Sequence, residues 1–121
     1  LSEDLINMSQ KMFNNALKAL ETQWLQKNKF IAGNFVTIAD FSAYVEIAQL
    51  NTQFTNLFDY SEFENLSRWL NDMSELPYHD DVHMVLTKMG DISETVPEME
   101  IIMKANLETF SHLNEIASKL D

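Results

Sequence analysis

Residues 79–83 read His-Asp-Asp-Val-His. Histidines at i and i+4 share one face of a helix and could pinch a metal ion. The spacing matches the H-E-x-x-H zinc motif, but that chemistry needs a glutamate base where Asp80 stands. It also needs a third ligand, and the only other histidine is His112. The alternative reading is a first helical turn in which Asp80 and Asp81 face the positive end of the helix dipole. Two-residue metal motifs arise often by chance, so the sequence assigns no metal ligand.

The other chemistry-bearing types are scattered. Nineteen acids stand against eight bases, for a net charge of -11. Glu62 with Glu64, and Glu94 with Glu98 and Glu100, read as solvated faces and first-turn charges. No pair is set in apolar sequence as a tuned acid and base. With no cysteine there is no thiolate nucleophile or disulfide, and two glycines leave little for a phosphate cradle. Arg68, the single arginine, sits beside Trp69 and reads as a structural ion-pair partner. No catalytic and no cofactor-binding residue is therefore expected.

Methionine and phenylalanine are frequent, seven and eight. Most fall at core-facing helical steps and are expected inside. Met99, Met103 and Phe110 are the exceptions. They are candidates for facing a substrate cleft if another domain packs beside them.

The acidic balance argues against nucleic acid and against anionic membranes as partners, and leaves a basic partner open. No run of eighteen apolar residues occurs and no leader pattern opens the chain, so a cytoplasmic setting is expected. The sequons at Asn7 and Asn65 are then chance matches.

The elements that must position these residues read as helices. Low glycine and proline favour an all-α bundle of about five helices, one domain over 1–121. The first helix spans about Ser2–Asn28, with Leu5, Met8, Met12, Ala16, Leu20 and Trp24 as its inward stripe. Gly33 redirects the chain. Thr37 and Asp40 then form an N-terminal capping box, with Val36 and Phe41 at the hydrophobic staple positions. The apolar residues of 29–41 are thus expected as a buried helix start, and Asp40→Ala would cost about 1–2 kcal/mol. The helix that follows is expected to be the most buried. Further boxes are read at Ser61/Glu64 and Thr95/Glu98. Phe63, Leu66, Leu70 and Met73 line the helix after the first of these, and Pro77 breaks it or starts the next. A short helix over 78–89 ends at Gly90. The last helix puts Met99, Ile102, Met103, Phe110, Leu113, Ala117 and Leu120 on one face.

Phe30-Ile31-Ala32-Gly33, three spacers and Thr37-Ile38-Ala39-Asp40-Phe41, with Trp24-Leu25 before them, resemble the helical C-terminal domain of glutathione transferases. Asn65-Leu66-Ser67-Arg68-Trp69-Leu70 fits the same family. Pro77-Tyr78-His79-Asp80-Asp81-Val82-His83 with Leu86 is similar to its theta-like members. The resemblance covers about residues 20–89.

That resemblance implies a two-domain protein. A thioredoxin-like domain, absent from this chain, would bind glutathione as co-substrate and hold the serine that stabilises its thiolate. The chain starts at Leu1 and reads as the C-terminal part of the longer protein, with the first long helix of the helical domain missing or cut short. It would supply apolar substrate walls and part of a homodimer surface for conjugating glutathione to electrophiles, in detoxification, and would be inactive alone. Only the Thr37/Asp40 box carries over, as a folding element. In theta-like members, sequences similar to His79–His83 have no metal role. The rival is a non-catalytic interaction module of the same fold, of the kind used in translation-related complexes.

Overall fold

Ser2 opens the first helix. Its hydroxyl accepts from the Leu5 amide at 3.2 Å, and α1 runs Glu3–Ala19 in the computed structural model, which describes residues 2–120. One π-helical turn, Leu20–Trp24, continues it, closed by the Leu25 amide on the Leu20 carbonyl at 2.9 Å. Then come α2 (Ile38–Ala48), α3 (Glu64–Ser74), α4 (His79–Val82), α5 (Met84–Met89) and α6 (Met99–Ala117). The fold is all-α. Among the described residues no strand forms, only isolated bridges at Phe30–Gly33 and Asn51–Phe58.

The core gathers Leu17 and Leu25 from the first segment, Phe30, Tyr44, Ile47 and Ala48 around α2, Tyr60, and Leu66, Trp69, Leu70 and Met73 from α3. Here α1 departs from expectation. Its inward residues are Phe13, Leu17 and Leu20, while Leu5, Met8, Met12 and Trp24 lie exposed. α1 is apolar on two sides, and periodicity alone does not say which side the other helices cover. Two methionines depart likewise. Met73 is buried, but Met8 and Met12 are exposed; Met99 and Met103, expected outside the core, are exposed as well.

Gly33 has φ 151° and closes a tight loop, its carbonyl accepting from the Phe30 amide at 2.8 Å. The loop leads into α2, whose start is only half buried. Phe30 is inside, but Phe35 and Ile38 are each 82% exposed, and Val36 and Phe41 are exposed as well. The expected buried start with an inward staple is thus not formed. α2 buries its other side, through Asp40, Tyr44, Ile47 and Ala48.

The boxes expected at Ser61/Glu64 and Thr95/Glu98 do not form. Phe63 precedes α3 and Glu98 precedes α6, neither with a side-chain cap. The expected 78–89 helix breaks at His83, where φ -97° and ψ 11° are not helical, and Gly90 at φ 69° ends α5. α6 packs on α5 and α4 through Ala105 and Thr109, so Met99, Met103 and Phe110 point the other way. The single apolar face expected for α6 is therefore split between two sides.

Candidate functional site

Asp40 is fully buried, and its carboxylate gathers three donors. One oxygen, Oδ2, accepts from the Thr37 amide at 2.9 Å and lies 3.4 Å from the Thr37 hydroxyl. The other, Oδ1, accepts from the Ile31 amide at 3.0 Å and from the Trp69 indole at 2.9 Å. The carboxylate half of the Thr37/Asp40 capping box is the stronger, since the Asp40 amide also bonds the Thr37 carbonyl at 3.0 Å. With its donors supplied, this carboxylate ties the 30s loop, the start of α2 and the middle of α3 together. The arrangement is structural: no oxygen faces solvent for a substrate.

Two further polar groups close helix ends, and neither follows from local sequence. The Glu21 carboxylate accepts from the Asn65 and Leu66 amides at 2.9 and 2.7 Å, capping the bare start of α3 from the π turn. Arg68 donates to the carbonyls of Leu25, Asn28 and Lys29 and pairs with Asp72 at 3.1 Å. It thus secures the chain leaving the π turn.

The histidines of 79–83 meet an aromatic group. The His79 and His83 rings stack with centroids 4.4 Å apart, and Tyr44 and Phe54 stand against them. Their nitrogens are mostly spent. Nδ1–H of His79 donates to Asp80 at 2.8 Å, which leaves its Nε2 to accept from the Tyr44 hydroxyl at 2.6 Å. Nδ1–H of His83 donates to the His79 carbonyl at 2.7 Å. His83 Nε2 is buried without a partner. Stacked rings with three of four nitrogens engaged do not converge on a point where a cation could sit. Among the described residues, no three metal-ligating side chains come together. The Tyr44–His79–Asp80 chain has the form of a proton relay, but burial, with help from Asp80, pushes the Tyr44 hydroxyl up to about 12. It stays a donor and is not an activated nucleophile. His112 lies apart and bonds Asp81 at 2.7 Å.

Two cavities adjoin this group. One, of about 110 Å³, is almost wholly apolar. Phe41, Tyr44, Val45, Met73 and Leu76 line one side, and His79 and Val82 of α4 with His83 just after it the other. The other, of about 190 Å³, is polar and lies between the 51–61 segment and α3, beside Asn51, Asp59, Ser67 and Asn71. Asp59 there is held below the usual carboxylate range by hydrogen bonds from Ser61.

A capping box opening the interior helix, answered by an indole from the next helix, is a pattern of fold rather than of chemistry. The sequence comparison agrees. The family model for the glutathione S-transferase C-terminal domain matches residues 2–77, more than half of the chain. The chain belongs to that family. No curated protein and no solved structure matches it.

In this glutathione S-transferase C-terminal domain, the match takes in α1 to α3 and the whole Asp40 network, and stops just before α4. The histidine group therefore joins a wall inside the matched region to three helices beyond it. Met99, Met103 and Phe110 lie on the uncovered side of α6 and meet neither cavity. The matched region is the helical domain of the family, and none of the chain's described helices is long and apolar enough to cross a membrane. Sequence reading missed Glu21, Trp69 and Tyr44, because each acts on a partner at least 29 residues away and leaves no local spacing to find.

Proposed function

We propose that this domain is the helical half of a two-domain, theta-like glutathione transferase working in the cytoplasm in detoxification. A thioredoxin-like partner domain would bind glutathione and lower the pKa of its thiol. The thiolate would then attack an electrophilic carbon, forming a C–S bond as the leaving group departs with the bonding pair. The helical domain contributes apolar walls and subunit contacts, with Met99, Met103 and Phe110 as substrate-facing candidates.

One observation carries this reading. Phe35, Val36, Ile38, Phe41 and Val45 form an exposed apolar set beside a fully buried Asp40 network. So large an uncovered set next to so tightly built an interior marks a surface made to be covered. The outward residues Leu5, Met8 and Met12 of α1 support the same view.

The test has two arms. By calorimetry, this chain alone should show no heat with glutathione and no conjugation of a chloronitrobenzene; binding would contradict its role as a dependent half. In the protein expressed together with its upstream coding sequence, a cysteine placed at Ile38 should react with maleimide at least tenfold more slowly than in the chain alone. Equal rates would remove the covering domain. Slow labelling without conjugation would favour the non-catalytic interaction module.

A further inference from the structure

We propose that α4 is a pH-responsive flap. Protonation of His83 swings it off α2 and α3 about Tyr78, uncovering the apolar cavity beneath, while α4 stays attached to α6.

The geometry sets the sense of the motion. Nδ1–H of His83 is already given to the His79 carbonyl, so an added proton must go to Nε2, which is buried and has no acceptor. A charged imidazole there faces Tyr44 from α2, Phe54 from the 50s segment and the stacked His79. From α3 the cavity receives only Met73, and from the turn after it Leu76. The one nearby carboxylate on its own helix is Asp80, whose side chain is 98% exposed and therefore screened by solvent. Burial holds the His83 imidazole below its ordinary value, outweighing the bond to the His79 carbonyl and the Asp80 charge, which both act the other way. It is thus neutral at pH 7 and unfavourable to charge.

The other side of α4 is held separately. Asp81 bonds His112 of α6 at 2.7 Å, a contact that does not involve His83. A charge on His83 therefore loosens α4 from the core and leaves its tie to α6 in place. A hinge is present: Tyr78 sits in the left-handed region at φ 65° and ψ 10°, where a non-glycine residue holds some strain. The far end is tied by the Ile92 amide on the Thr55 carbonyl at 3.0 Å and by Asn56 on Asp91 at 2.8 Å. Asp91 is held below the usual carboxylate range by Ser93 and Asn56, so that tie survives mild acid. The opening is a tilt about Tyr78 with the chain beyond α5 held in place, not a dissociation.

Amide exchange by NMR at pH 7.5 and 5.5, expressed as protection factors, tests this. The Val82 and His83 amides should lose at least tenfold protection at the lower pH relative to the α3 amides, while Ile92 keeps its own. His83→Phe should hold the α4 protection equal at both pH values. Unchanged protection in the natural protein, or an undiminished loss in His83→Phe, overturns the proposal. Should that variant fail to fold, titration of the natural protein decides: the α4 backbone shifts must move with the midpoint of the His83 ring nitrogens, and a different midpoint overturns it.

Discussion

Trp69, in the middle of α3, gives its indole N–H to the Asp40 carboxylate at 2.9 Å, on the same oxygen that holds the Ile31 amide. A residue that caps its own helix thus also anchors the next helix and the preceding loop. Removal of the Asp40 carboxylate strands three N–H donors, one of them buried and two half-buried, rather than one.

Asp40→Ala should therefore cost more than an ordinary cap, about 3 kcal/mol or above. Asp40→Asn keeps one acceptor oxygen and should fall between the variant and the natural protein. Trp69→Phe, which removes one donor and leaves the carboxylate two, should cost about 1–2 kcal/mol. Urea denaturation monitored by circular dichroism measures all three. A loss no greater for Asp40→Ala than for Trp69→Phe would show that the carboxylate serves the indole alone.

Glu21, not Ser61, caps α3. Glu21→Ala should lower stability by about 1–2 kcal/mol, because it bares two helix-start amides. Ser61→Ala and Thr95→Ala, at positions that look like caps in the sequence, should stay within about 0.5 kcal/mol. Thermal melts of the three variants compare them directly, and the reverse order would restore the local boxes.

The two apolar sides of α1 should differ in the same way. Leu17 is 1% exposed and Met12 is 66% exposed. Leu17→Ala should cost about 3 kcal/mol by cavity formation, and Met12→Ala about 0.5 kcal/mol or less in this chain. Equal losses in urea would mean that the outward stripe is covered after all, for instance by self-association, which sedimentation would detect.

The alkaline limb of stability should rest on two tyrosines. Burial pushes both Tyr44 and Tyr60 up to about 12, above the ordinary value near 10 of the unfolded chain. Between those values the unfolded state has released protons that the folded state keeps. The contribution of these groups is thus complete below pH 10 and lost as pH rises toward 12. Urea midpoints should be level up to about pH 9.5 and fall beyond it. Tyr60→Phe should soften the fall, although it also loses the bond to the Ile47 carbonyl at 2.8 Å. Phenolate absorbance would show the same two groups titrating late.

The local grammar of the chain was legible without coordinates. Scarce glycine and proline, and apolar steps of three and four, specify helices, and Gly90 at φ 69° stops one as its type suggests. Thr37 and Asp40 meet because they are three residues apart at a helix start, a geometry set by the backbone itself. Tertiary structure alone decided the rest. It chose Leu17 over Met12 as the inward side of α1, brought Glu21 to α3 across 44 residues, and gave Asp40 an indole from Trp69. It also set Tyr44 against the His79–His83 stack. The division has one physical cause. Hydrogen bonds within a helical turn are fixed by the rise per residue, whereas a side chain's distant partner depends on which faces pack, and an element apolar on two sides leaves that choice to its neighbours.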